Sequence, residues 1–389
     1  MNFFAQRRHT LVRGLKRETE SLDAFLVTAG PNVAYLTGVT GDAGYFVATP
    51  KNGVVVTDAR FEDQVKDECP DVTKGGTGVE LHVRPHDKTT PEAAVEVLTK
   101  AGAKTVGVEG NRLTWSDLEA LRVLAPKITF VPQTNLIEAQ RVVKDPSEIE
   151  HVRAAIRVAE RAFKMFVATL EASATEKELA DALDGYLRRA GAKAASFPPI
   201  VAVGERGALP HAVPTSLRLG EGSKLLVDFG ADTGYMSDIT RVVRSPFVMT
   251  PTRKNKFERV GYDLEEVYQV VLNAQSAALA AIRPGVMAKD VDAAARKVIA
   301  SARLKSEPAA RLGDFFSHGL GHGIGLEIHE APRVRANSED ILEAGMIITV
   351  EPGVYIPGWG GVRIEDDVLV TRDGCTLLTT LSRELSTAG

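Results

Sequence analysis

The sequence predicts two unlike domains: an α/β layer built on a mixed sheet, then a larger α+β domain with pseudo-twofold symmetry. Three observations carry this. The chain has 389 residues, beyond the roughly 250–300 at which a single hydrophobic core stops growing. Its first third alternates short β-rich runs with helical ones, the pattern of a layered sheet. The remainder contains a weak duplication: Glu171–Ala190 resembles Arg283–Ala302, with Lys177 matching Lys289, Glu178 matching Asp290, Leu179 matching Val291 and Leu187 matching Ile299. Each copy sets a long helix, a turn and a shorter helix ahead of β-rich sequence, which suits an active site lying between related halves.

Taken in order, the chain opens on Arg7, Arg8, Arg13, Lys16 and Arg17 before its first acid, Glu18. That is a slight likeness to an organellar transit peptide. Leu11, Leu15 and Leu22 at helical spacing make a solvated amphipathic helix the better expectation. Strands are expected at Ala24–Thr28, Tyr45–Thr49, Val54–Thr57, Leu81–Arg84, Thr105–Glu109 and Ile128–Pro132, with helices at Phe61–Glu68, Pro91–Ala101 and Thr114–Leu124. No GxGxxG follows the first strand, so a dinucleotide site is not supported. A boundary falls near Asn135–Lys144, dividing the chain into 1–140 and 141–389. Asp145-Pro146-Ser147-Glu148 then starts a helix, with Asp as N-cap, Pro in the first turn and Glu three residues after the cap. Thr175 and Glu178 repeat the capping pattern before a helix running towards Ala190.

Composition narrows the function. A hydrophobic content of 44% with 25% charged residues is ordinary for a globular chain. The formal charge of −4 provides no footprint for nucleic acid. No run of about 18 apolar residues suggests a membrane span, and no secretory h-region is seen. Cys69 and Cys375 are the only cysteines and lack CxxC spacing, which argues against a disulfide framework or a thiolate zinc site and fits the cytoplasm.

The chemistry concentrates in acids on two hairpins. Leu225–Phe229 and Tyr235–Val243 read as strands around Ala231-Asp232-Thr233-Gly234, setting Asp228 and Asp238 opposite each other to within about one residue. Met346–Glu351 and Gly361–Val370 flank Pro357-Gly358-Trp359-Gly360, and Glu351 and Glu365 are symmetric about Gly358, so they should face each other. Like charges directly opposite on apolar strands are destabilising and demand a cation. Arg363, two residues before Glu365, can neutralise one carboxylate. Four carboxylates are balanced by two divalent ions, the arrangement of two-metal hydrolytic sites. A nitrogen ligand should come from Ser317–Glu330, where three of the chain's eight histidines, His318, His322 and His329, fall within twelve residues among glycines. Other motifs fail on their context. His329-Glu330-Ala331-Pro332-Arg333 lacks the second histidine of HExxH and holds a helix-breaking proline. Asp228-Phe229-Gly230 lacks the kinase loops. Asp232-Thr233-Gly234 occurs once, where an aspartic dyad needs two copies. No GxSxG elbow is present.

The blocks VDFG, GYMSDITR, HGLGHGIGLEIHE, TVEPGVYI and GVRIEDD, in this order, resemble the pita-bread metallopeptidases, a family comprising aminopeptidase P, prolidase and methionine aminopeptidase. The first third is similar to the amino-terminal domain of the proline-specific branch and of creatinase. The resemblance implies a creatinase-like first domain and a pita-bread catalytic domain. It makes Asp228, Asp238, His322, Glu351 and Glu365 metal ligands, with Asp238 and Glu365 bridging. It places His211, His318 and His329 among substrate-contacting groups, Tyr355 and Arg363 behind the ligands, and Arg333 where prolidases hold a dipeptide carboxylate. One departure is that Asp228 and Asp238 are ten residues apart, where the family pattern has eleven. The activity implied is hydrolysis of the bond between a first residue and a following proline, as in aminopeptidase P. Glu351 would shuttle a proton, the histidines would stabilise the oxyanion and close the pocket, and Arg363 would support catalysis. Four oxygens and one nitrogen favour Mn²⁺, with Co²⁺, Fe²⁺ or Zn²⁺ as alternatives. A dipeptide-restricted prolidase and a metal-free binding module are the competing readings. The family usually dimerises.

Overall fold

The computed structural model describes residues 2–15, 21–42, 44–73, 78–245, 247 and 261–387. Two compact units divide at Arg141/Val142.

The first unit alternates strands and helices because its β-branched runs are short and most of its helical stretches have a capping side chain or a proline to start them. Its helices are α1 (Phe3–Gly14), α2 (Gly30–Thr37), α3 (Glu62–Glu68), α4 (Pro70–Thr73), α5 (Thr90–Lys100), α6 (Trp115–Leu124) and α7 (Glu138–Arg141). Its strands are β1 (Ala24–Val27), β2 (Tyr45–Ala48), β3 (Gly53–Thr57), β4 (Val79–Val83), β5 (Thr105–Glu109) and β6 (Thr129–Gln133), in the order β4-β3-β2-β1-β5-β6. Pairings β1–β2 and β2–β3 are antiparallel, whereas β3–β4, β1–β5 and β5–β6 are parallel, so the sheet is mixed.

The first helix departs from expectation. Arg7 and Arg8 are buried beside Leu11. Arg8 pairs with Asp71 at 2.5 Å, and Arg7 donates to Tyr35 O at 2.9 Å while lying over the Tyr35 ring. A buried guanidinium needs such partners, and they come from residues far along the chain, which periodicity does not reveal. The predicted Lys16, Arg17 and Glu18 lie outside the described residues. Helices α2, α4 and α7 were not anticipated. The first is held by Glu109, whose carboxylate accepts from Thr28 N at 2.6 Å, Ala29 N at 2.9 Å and the Asn32 side chain at 2.7 Å.

The second unit opens on α8 (Pro146–Val167), with Asp145 and Glu148 forming a reciprocal capping box, followed by α9 (Glu176–Arg189), capped in the same way by Thr175 and Glu178. Then come β7 (Ala194–Ala195), β8 (Ile200–Val203), β9 (Lys224–Phe229), β10 (Ala231–Asp232) and β11 (Ile239–Arg244). A second helix pair follows, α10 (Leu264–Ala281) and α11 (Ala288–Ser301). Helices α9 and α11 span 14 residues each and are separated by the same offset that relates Lys177 to Lys289. The remaining strands are β12 (Gly321–Gly323), β13 (Glu330–Val334), β14 (Ile347–Val350), β15 (Gly353–Ile356), β16 (Gly360–Arg363), β17 (Asp366–Val370), β18 (Cys375–Leu377) and β19 (Ser386–Thr387). They complete sheets β19-β11-β9-β8 and β13-β12-β14-β17-β18, with β15–β16 as a separate ladder.

Each helix pair covers its own side. Val152, Ile156, Ala159 and Phe163 of α8 pack with Val227, Phe229 and Ile239, and Phe163 stacks on Phe229 at 4.9 Å. Val267, Val271, Ala274 and Ala278 of α10 pack with Ile348, Val350, Val362 and Val368. Burying these faces fixes the strands that carry the acids.

Candidate metal centre and active site

The two acidic hairpins are less regular than the sequence suggests. Strand β11 begins at Ile239, and its register on β9 sets Asp228 opposite Thr240, not Asp238. The intervening chain leaves the ladder: Ala231 and Asp232 pair with β7, and Asp232 bridges to Met236. Asp238 is therefore two residues from the position facing Asp228. Because side chains alternate along a strand, an offset of two keeps it on the same face. In the other hairpin Gly353 faces Arg363 in one ladder and Val350 faces Asp366 in the next. Glu351 and Glu365 fall in the break between these ladders, opposite each other in the common register.

These segments line one cavity of about 560 Å³ together with the histidine loop. His211, Asp228, Asp238, His318, His322, His329, Arg333, Glu351, Arg363 and Glu365 all border it. Tyr355 does not, and stands behind His318. Asp238, His322 and Glu365 offer ligand atoms within 4.8 Å of one another. His322 Nε2 lies 3.6 Å from Asp238 Oδ2 and 3.5 Å from Glu351 Oε1.

Burial and mutual repulsion dominate the electrostatics. Asp238 is pushed far up by burial first and then by Glu365, Asp228 and Glu351. Glu365 is raised by burial and by Glu351 and Asp228, against the pull of Arg363. Burial likewise lifts Glu351 to about 8. Burial lowers His322 to about 3, so its contacts with carboxylates are not ion pairs. His322 Nδ1 donates to Gly323 O at 3.0 Å, leaving the Nε2 lone pair facing the acids. Asp228 Oδ1 and Asp238 Oδ1 are buried without hydrogen-bond partners among the described residues. Carboxylates that must hold protons, orphaned buried oxygens and an imidazole lone pair aimed at them form a set that divalent cations satisfy.

Arg363 pairs with Asp228 at 2.6 Å, so the one carboxylate it neutralises lies on the other hairpin and not beside it in sequence. The guanidinium also donates to Thr240 Oγ1 at 2.9 Å and to the Tyr355 hydroxyl at 2.7 Å. The Tyr355 hydroxyl, already an acceptor, donates to His318 Nε2 at 2.8 Å, while His318 Nδ1 donates to Gly319 O at 2.7 Å. Both nitrogens of His318 are thus engaged, and burial and nearby Arg363 hold it neutral, at about 4. His329 and His211 are exposed at the cavity. His329 meets His322 edge-on at 4.5 Å.

Several supporting residues were not read from the sequence. Thr240 donates to Glu365 Oε2 at 2.6 Å. Thr349 accepts from His322 N at 3.0 Å and donates to Glu351 Oε1 at 3.3 Å. Asp367 accepts from Asp238 N at 3.1 Å. Gln275 of α10 donates to Val350 O, Ile364 O and Asp366 Oδ2, tying together both strands that precede the facing glutamates. Arg241 donates to Glu365 O and Asp366 Oδ1, both at 2.6 Å. Beneath the histidine loop, Lys144 and Glu330 form a buried pair at 3.1 Å.

Known proteins share this plan. The model of metallopeptidase family M24 matches residues 150–372, and that of the creatinase/prolidase N-terminal domain matches residues 7–143. An Xaa-Pro dipeptidase of Pyrococcus horikoshii is 33% identical over 372 residues, 95% of each chain. The solved structure of an Xaa-Pro dipeptidase from Bacillus anthracis superposes with a TM-score of 0.84 at 33% identity, covering 99% of both chains. That of an X-Pro aminopeptidase from Thermotoga maritima gives 0.83 at 31%, covering 98% of this chain and 99% of the other. This chain belongs to metallopeptidase family M24, in the branch that carries a creatinase/prolidase amino-terminal domain.

Proposed function

We propose that this metallopeptidase hydrolyses the bond between an amino-terminal residue and a following proline, in the manner of aminopeptidase P. The observation that carries the reading is the convergence of four carboxylates and one neutral imidazole in a single cavity. It is joined by relatives named for Xaa-Pro cleavage. Residues 1–140 are assigned to the creatinase-like domain and 141–389 to the catalytic one.

Asp228, Asp238, His322, Glu351 and Glu365 would hold two divalent ions. The hard donor set favours Mn²⁺ over Co²⁺, Fe²⁺ or Zn²⁺. Bound there, the ions supply Lewis acidity and bring the pKa of a water towards neutrality. Glu351 takes the water proton and returns it to the departing proline nitrogen. Thr349 occupies its Oε1, leaving Oε2 for that transfer. His329, exposed at the cavity, donates to the developing oxyanion, and His211 closes the pocket over the peptide. Arg363 holds Asp228 in place, and through Tyr355 fixes the ring of His318 as a wall of the site.

A second reading, a dipeptide-restricted prolidase, is favoured by Arg333, which is exposed, borders the cavity and suits a substrate carboxylate. A homodimer in the cytoplasm completes the proposal, the cytoplasm being in keeping with two unpaired cysteines. The test is hydrolysis of Gly-Pro, Ala-Pro and Arg-Pro-Pro by metal-stripped protein with and without Mn²⁺. Mn²⁺-dependent release of the first residue supports the reading, and preference between dipeptides and tripeptide selects its form. No cleavage by metal-loaded protein overturns it.

A further inference from the structure

Arg333 is not the only cation at the mouth of the cavity. Arg335, one residue past the end of β13, also borders it, and both residues are exposed while Val334 between them is buried, so the alternation of the strand carries on and the two arms leave the same side of the chain. Neither guanidinium has a hydrogen bond or ion pair with a described residue. The ladder fixes Arg333, and packing against Gly319 places Arg335. Arg333 faces His322 across β12–β13, and Arg335 lies beside Gly319, where a Cβ would meet the Arg335 Cβ at 2.9 Å. The missing side chain of Gly319 leaves the stem of Arg335 room next to His318. Two positions of chain separate the arms by at most about 7 Å, whereas each residue added to an extended peptide advances its end by roughly 3.5 Å.

We propose that Arg335 is a specificity-determining residue that binds the free carboxylate of an Xaa-Pro peptide one or two residues longer than the dipeptide. This rests on the Xaa-Pro reading above and names its substrate class: short peptides with a free carboxyl end, read at two depths by Arg333 and Arg335. A guanidinium fork matches a carboxylate with two parallel hydrogen bonds, which neither an amide end nor an internal peptide group offers.

The test compares Ala-Pro-Ala with Ala-Pro-Ala-amide, with Ala-Pro as reference, on Mn²⁺-loaded wild type, Arg335→Gln and Arg335→Lys. Wild type should favour the free acid over the amide by about 10–100-fold in kcat/KM, carried by KM. Arg335→Gln should bring that ratio to within about threefold, and Arg335→Lys should keep part of it. A general structural role moves both substrates together and leaves the ratio unchanged. A ratio near one in wild type, or a large ratio that survives in Arg335→Gln, overturns the inference alone. Hydrolysis of none of the three peptides by wild type overturns the Xaa-Pro reading and this inference with it.

Discussion

Removing metal should give this protein an inverted pH response above neutrality. In the metal-free site Glu351 moves from 4.5 in the unfolded chain to about 8 in the folded one. A carboxyl with a raised folded value binds more protons folded than unfolded, so stability falls as pH rises through the window between those values. His318 and His322 act with the opposite sign. Lowered from 6.5 to about 4 and about 3, they cost stability as pH falls below 6.5 and are neutral in both states above it. The carboxyls therefore act alone above pH 6.5. Between pH 6.5 and 8, Glu351 by itself removes about 2 kcal/mol, and Asp238 and Glu365 push in the same direction. Metal-free stability should decline from pH 6.5 to 8, and more steeply than it does just below pH 6.5, where the two histidines oppose the carboxyls. Saturating Mn²⁺ should reverse the slope, since the ligands must lose protons to bind it. Urea unfolding of the stripped protein across this range measures the effect, and Glu351→Gln should flatten the slope by its share. Metal-free stability that is flat or rising from pH 6.5 to 8 refutes the reasoning.

Replacing Arg363 with Met strands the buried Asp228 carboxylate and should destabilise the metal-free protein by about 3–5 kcal/mol in urea unfolding. Lys144→Met does the same to Glu330 and should cost a similar amount, with kcat falling because Glu330 also accepts from Glu327 N in the loop before His329. Asp145→Ala removes the cap of α8, where Asp145 Oδ1 accepts from Ser147 N and Glu148 N, and should lower stability by about 1 kcal/mol without altering kcat.

What could be read from the sequence was local. Capping boxes at Asp145 and Thr175 act within four residues, and Glu351 and Glu365 face each other because a hairpin conserves register about its turn. The Asp228–Asp238 pair escaped because Ala231 and Asp232 leave the hairpin for β7, a choice made by residues far upstream. Burial of Arg7 and Arg8, the pairing of Arg363 with Asp228, and the support from Gln275 and Thr240 all depend on partners dozens to more than a hundred positions away. No single-chain pattern encodes such distances. The five candidate ligands were found because their types and motifs are unusual in apolar strands, even where their predicted geometry was not.

The separation of those ligands along the chain has a consequence for biosynthesis. Asp228 and Asp238 leave the ribosome well before His322, Glu351 and Glu365, so the first acidic pair must wait for its complement. Strand β9 and its helical cover can form meanwhile, since emerging chains fold in order from the amino end. Ion capture is then among the last events of maturation. It closes the gap between early and late segments like a clasp, which makes the loaded enzyme harder to open than any of its nascent parts.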